Sequence, residues 1–138
     1  MSRRPPGPRS TGDPGPPERQ VLGRRAEELA LASLSREGLQ LVCRNWRRPE
    51  GELDLVMREG DTCVFVEVRS RTGTDRGHPL ETVTRAKRAQ VVRAARHFLA
   101  EETVSATDFR FDVVAVTFDD EGAMVELVHV PDAFTTNE

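Results

Sequence analysis

Of the 138 residues only two are cysteine, one is tryptophan and none is tyrosine. Cys43 and Cys63 each sit inside an apolar, strand-like run, with no CxxC and no Cys/His cluster. That favours buried free thiols over a disulfide or a zinc site. No apolar stretch approaches the roughly 18 residues that a membrane span requires. The N-terminus is basic and proline-rich, without the apolar region of a signal peptide, so the expectation is a cytoplasmic protein with no membrane partner. There is no P-loop, no GxGxxG and no nucleophile elbow, which removes the common nucleotide-binding and serine-hydrolase signatures. Lysine is almost missing too: of 20 basic residues 19 are arginine, and Lys87 stands alone. Arginine is therefore the default cation, and a single arginine carries little information. A net charge of −3 rules out a general polycation, so the placing of charge matters more than its sum.

Residues 1–17 hold six of the nine prolines and no large apolar residue beyond the initiator Met. Such a segment cannot bury enough surface to offset its ordering entropy and is expected to be a disordered tail. Residues 18–138 are expected to form one domain. ERQVLGRRAEELALASLSREG reads as a helix of about five turns, with Pro17 near its start and Gly38 as its stop. Leu22, Ala26, Leu29, Ala30, Ser33 and Leu34 fall in one arc; Glu27 lies at its edge and Glu28 points away. Five strand-like runs follow: LQLVCRNW, GELDLVMRE, TCVFVEVRS, RFDVVAVTF and AMVELVHVP. Glu59-Gly60-Asp61 is a hairpin turn between the second and third. RTGTDRGHP has loop chemistry. LETVTRAKRAQVVRAARHFLAEE reads as a second long helix, with Val83, Val91, Ala94, Ala95, Phe98 and Leu99 on its apolar face. The order helix, three-strand meander, helix, strand, strand is α/β with a mixed sheet, the last helix supplying the crossover to a parallel neighbour.

Two carboxylates stand where such a fold does not ordinarily put them. Asp54 in GELDLVM and Glu67 in CVFVEVRSR each interrupt an apolar run, and an ionised carboxylate there is costly unless a cation or strong donors meet it. By strand alternation Glu67 and Arg69 share one face, and the hairpin sets their strand beside that of Asp54. Two oxygen ligands with a cation beside them suit a hard divalent ion such as Mg²⁺ or Mn²⁺, and this is a phosphodiester-cleaving arrangement. Glu27 is the helical acid able to lean over the same point. Arginines cluster near it, and Arg71, Arg76, Arg85, Arg88 and Arg93, with Lys87, are the expected phosphate contacts; the alternative is a solvated surface. Lys87 falls in the apolar arc of the second helix and either reaches the site or extends to solvent.

Glu52 shares a face with Asp54 but lies at an exposed strand start. Asp112 is either a further acid or a partner of Arg110. His78, His97 and His129 are assigned surface or packing roles, and Trp46 either stacks on a base or caps the core.

The run G-x-x-A-E-x-x-A around Gly23, Glu27 and Ala30, followed by RNWR, GELDL, FVEVRSR and RFDVVAV, resembles the YraN family of bacterial proteins. That family is similar to the PD-(D/E)xK restriction-endonuclease-like superfamily, and more closely to the archaeal Holliday-junction resolvases. The resemblance implies a restriction-endonuclease-like α/β fold, a mixed five-stranded sheet flanked by helices. It puts Asp54 and Glu67 at the two metal-binding acids, Arg69 at the motif lysine and Glu27 at a helical glutamate. The departure is ExR in place of ExK. Arginine stays protonated and can grip phosphate, whereas lysine can also approach and deprotonate water. The leading expectation is a metal-dependent endonuclease acting on branched or structured DNA. The alternatives are a non-catalytic DNA-binding adaptor and a structural homodimer whose acids and arginines are simply paired.

Overall fold

The computed structural model describes residues 18–73 and 77–136; the expected tail at 1–17 and Arg76 lie outside that range. The elements run α1 (Arg19–Arg36), β1 (Gln40–Arg48), β2 (Gly51–Glu59), β3 (Thr62–Thr72), a short 3-10 turn (Pro79–Thr82), α2 (Arg85–Glu101), β4 (Asp108–Phe118) and β5 (Met124–Phe134). The five strands form one sheet in chain order. β3 and β4 are parallel, joined through α2, and every other neighbour pair is antiparallel. This is the α/β fold, with a mixed five-stranded sheet flanked by helices, that the residue pattern implies.

Local chemistry accounts for the ends of these elements. After α1, Gly38 takes φ 102°, its N–H bonds the Ser35 carbonyl at 3.0 Å, and the Leu39 N–H bonds the Leu34 carbonyl at 3.1 Å. That pattern closes the helix while Leu34 and Leu39 bury together in the core. β2 turns into β3 through Gly60 at φ 59°, the first central position of a two-residue hairpin, with Glu59 paired to Thr62. The second helix begins later than its apolar pattern implies. Leu80 and Val83 belong to the 3-10 turn and an extended residue after it, and the Thr84 hydroxyl then caps α2 by accepting the Lys87 N–H at 3.1 Å. Val83 still packs in the core, which is why periodicity misplaced it on the helix.

Each helix covers one face of the sheet. On the α1 side Leu22, Ala26, Ala30 and Leu34 pack on Leu55, Met57, Val64, Val66, Val114 and Val116. On the α2 side Val91, Ala94, Ala95 and Phe98 pack on Leu53, Val56, Phe65 and Val113. Trp46 is part of that second core, edge-on to Phe98 at 5.7 Å with the Arg48 guanidinium 4.7 Å over its ring. Phe65, Phe111 and Phe134 stack in series at 5.5 and 5.1 Å. Aromatic side chains buried this way each contribute on the order of 2 kcal/mol from area alone. Among the described residues no helix is long and apolar enough to cross a membrane.

Candidate metal and phosphate site

β2 and β3 pair from Glu59 opposite Thr62 as far as Leu55 opposite Val66. Beyond that point the ladder is taken over by a side chain: Asp54 Oδ2 accepts the Val68 N–H at 2.9 Å. The carboxylate thereby satisfies a backbone donor at the point where the strands part, and its position is fixed. Leu53 before it packs toward α2 and Leu55 after it toward α1, so Asp54 stands at the sheet's divide.

Glu67 lies beside it, 3% exposed. Its Oε2 has two cations near it, Lys87 Nζ at 3.6 Å and Arg69 Nη1 at 3.7 Å. Burial first, and then the negative charge of Asp54, hold Glu67 above the ordinary glutamate range, against the opposing pull of Lys87 and Arg69. Asp54 is raised as well, again chiefly by burial, although the Val68 N–H and Lys87 draw it down. Two apposed carboxylates in a poorly solvated place cannot both ionise cheaply, so the pair retains a proton where a lone carboxylate has lost it.

The α1 side contributes Glu27, whose carboxyl is hydrogen-bonded by the Asn45 side chain and raised by burial and then by Asp54. Asn45 adopts φ 55°, a left-handed conformation that asparagine tolerates. Glu28 faces outward and pairs with Arg44 at 2.7 Å. Glu52 is exposed and pairs with Arg47 at 3.3 Å, adding its charge to the field at Asp54. On the α2 side a cleft of about 480 Å³ opens between the β1–β2 turn and the helix, lined by Pro49, Glu50, Glu52, Lys87, Gln90 and Arg93. Gly51 allows this close approach: at φ 150°, a Cβ added to it would lie 3.0 Å from the Ala94 Cβ.

The remaining arginines divide. Arg85 and Arg93 are exposed on α2. Arg88 donates from Nε to the Val83 carbonyl at 3.1 Å and lies over the Phe134 ring. Arg71 donates to Thr117 Oγ1 at 3.0 Å and to the Gly77 carbonyl at 3.4 Å, tying β3 to the loop that follows it. Asp112, on the α1 side of the sheet, belongs to a separate structural clasp. Its carboxylate accepts from Arg110 at 2.9 and 3.2 Å, from the Asp132 N–H at 2.9 Å, and bonds His129 Nε2 at 2.8 Å. Asn45, Gln90 and the Val68 N–H are the parts of the site that the sequence left unmarked, since none carries charge or breaks a pattern.

Among the described residues no three His, Cys, Asp or Glu side chains gather as a metal-binding group. A hard divalent ion that keeps most of its water needs only one or two carboxylates, and Asp54 with Glu67 supplies them. The donor set fits such an ion: oxygen only, and a like-charge repulsion that a cation would relieve.

Against known proteins, the uncharacterised protein family UPF0102 matches residues 26–116, a span that includes Glu27, Asp54, Glu67, Arg69 and Lys87. A UPF0102 protein of Beutenbergia cavernae is 50% identical over 98 residues, covering 71% of this chain and 83% of the relative. One from Anaeromyxobacter is 48% identical over 110 residues, covering 80% and 83%. One from Syntrophotalea carbinolica is 44% identical over 117 residues, covering 85% and 94%. With its match running from the middle of α1 into β4, the chain belongs to the bacterial UPF0102 family, the group that includes the YraN proteins.

Proposed function

We propose that this protein is a nucleic-acid-binding, divalent-metal-dependent phosphodiesterase acting on branched or otherwise structured DNA. The observation that carries the reading is the pairing of half-buried Asp54 with buried Glu67 at the parting of β2 and β3, with two cations near one Glu67 oxygen. Stability alone gives little reason for it, because replacing buried charge by packed apolar groups is usually neutral or better.

In this reading Asp54 and Glu67 hold Mg²⁺ or Mn²⁺. When bound, the ion supplies Lewis acidity to the scissile phosphate and lowers the pKa of water. The Val68 N–H keeps Asp54 aimed. Arg69, fixed on the same strand face as Glu67, offers a permanent positive charge to the phosphate oxygens as negative charge develops on them. Glu27, held by Asn45, positions the attacking water and receives a proton from it. The exposed Arg85 and Arg93 track the backbone of the substrate beside the cleft.

Arginine at the strand position where the superfamily pattern has lysine favours a second reading, a DNA-binding adaptor that kept the fold without efficient chemistry. A panel of branched and linear DNA with purified protein, with and without Mn²⁺, and with Asp54→Ala as control, separates the two. Metal-dependent cleavage lost in Asp54→Ala supports the enzyme. Metal-independent DNA binding with no cleavage of any substrate supports the adaptor.

A further inference from the structure

Positive charges crowded on one carboxylate oxygen compete for it, and Glu67 Oε2 already has two of them within 4 Å. A divalent ion binding Glu67 approaches to about 2.1 Å. It then comes close to the Lys87 ammonium and the Arg69 guanidinium, and in a partly buried setting these like charges repel it. The ion therefore competes with both for the carboxylate, and the cation less firmly rooted is the one to yield. Both contacts are longer than hydrogen bonds, so neither is locked by geometry. Arg69 is rooted two residues along the same strand and same face as Glu67. Lys87 comes from another element, on a flexible four-carbon stem that lines the cleft, and its side chain is 30% exposed.

Its place on α2 points the same way. Lys87 is in the first turn, with Arg85 and Arg88 and no acidic residue, so positive side chains crowd the positive end of the helix dipole. That arrangement is unfavourable for the isolated helix and becomes favourable only with an anion in reach. In the metal-free protein the anion in reach is the Asp54 and Glu67 pair, which shares one negative charge while it keeps its proton. Lys87, Gln90 and Arg93 also follow one another at three-residue steps along the wall of the cleft, a row on one helical stripe that begins at the acids.

We propose that Lys87 is an exchangeable counter-ion: it holds Glu67 until a divalent ion takes that carboxylate, and its ammonium then turns into the cleft to bind the phosphate backbone in line with Gln90 and Arg93. This rests on the metal-dependent reading above. It gives Lys87 a role different from that of Arg69, which remains beside the acids in both states. It also makes a prediction of opposite signs. Removing the lysine removes the metal's competitor and the phosphate's partner together.

The test is calorimetric titration of Mn²⁺ alone into wild type, Lys87→Met, Lys87→Arg and Asp54→Ala, with binding of a labelled branched DNA measured on the same samples in Mn²⁺. Lys87→Met is expected to bind Mn²⁺ about tenfold tighter, since a nearby like charge has gone, and DNA about tenfold more weakly. Lys87→Arg, which keeps the charge, should restore DNA binding and return Mn²⁺ affinity toward wild type. Unchanged or weaker Mn²⁺ binding in Lys87→Met, with the fold intact by circular dichroism, overturns the exchange. If Lys87→Met does not fold, Lys87→Arg and Lys87→Gln replace it, and equal Mn²⁺ affinity in those two overturns the exchange just as directly. Absence of Mn²⁺ binding in the wild type, indistinguishable from Asp54→Ala, would overturn the metal reading itself and the exchange with it.

Discussion

Glu67 is held above the ordinary glutamate range by burial and by Asp54, and this fixes the sign of a pH effect. The folded protein keeps a proton there that the unfolded chain has already lost. Stability of the metal-free protein should therefore fall as pH rises from the ordinary glutamate range through the folded value. Glu67→Gln, which carries a proton-like donor permanently, should remove that decline and raise stability at the alkaline end by about 1–2 kcal/mol, roughly 3–8 °C in Tm by thermal denaturation. A loss of several degrees instead would mean that the carboxylate's pairs with Lys87 and Arg69 are structural. Divalent-ion affinity should climb over the same pH interval as the proton leaves. The Asp112 clasp behaves in the opposite manner. Burial works against its carboxylate, yet His129, Arg110 and the Asp132 N–H outweigh it and hold Asp112 below the usual aspartate range, while His129 is raised, first by its bond to Asp112. Asp112 thus contributes stability above the unfolded aspartate range that is lost as pH falls through its lowered value. The His129 contribution is complete below the ordinary histidine range and is lost as pH rises through its raised one. Asp112→Ala, leaving Arg110 and His129 without their anion, should cost about 3–5 kcal/mol in chemical denaturation.

At the level of elements, the β2–β3 hairpin and the two helices set the site, and small changes at their ends should be felt there. Thr84→Ala removes the α2 cap and should cost about 1 kcal/mol. Because Lys87 is in that first turn, the loss should also weaken DNA binding more than an exposed mid-helix substitution such as Arg96→Ala; equal effects from the two would detach the cap from the site. All five strands were legible because alternation and β-branched runs are local, and so was the hairpin, whose Glu-Gly-Asp turn leaves the two strands no slack. The first turn of α2 was not, because Leu80 and Val83 reach the core from a 3-10 turn and an extended residue, and core apolarity looks alike in either conformation. Asp54 and Glu67 were visible as breaks in apolar runs. The Val68 N–H that fixes Asp54 and the Asn45 that holds Glu27 were not, since a backbone donor and an amide leave no mark on a hydrophobic pattern. Trp46 stood open between base stacking and the core, and the edge-on contact with Phe98 resolves it to the core.

For the molecule as a whole, the arginines of the proposed binding face differ in the partners they already have. Arg71 and Arg88 are tied to Thr117 and to the Val83 carbonyl, while Lys87 and Arg93 line the cleft and Arg85 is exposed at the start of α2. Affinity for DNA should fall steeply with salt, and Arg93→Ala should flatten the slope of log K against log salt by about one, as loss of one phosphate contact does. An unchanged slope would put the substrate elsewhere. The central claim, that Asp54 and Glu67 form one divalent-ion site, is tested most directly by titrating Mn²⁺ into the wild type, Asp54→Ala and Glu67→Ala and following the heat. A single site in the wild type, lost in both folded variants, is the predicted result. No binding in the wild type, or binding that survives both substitutions, would contradict it.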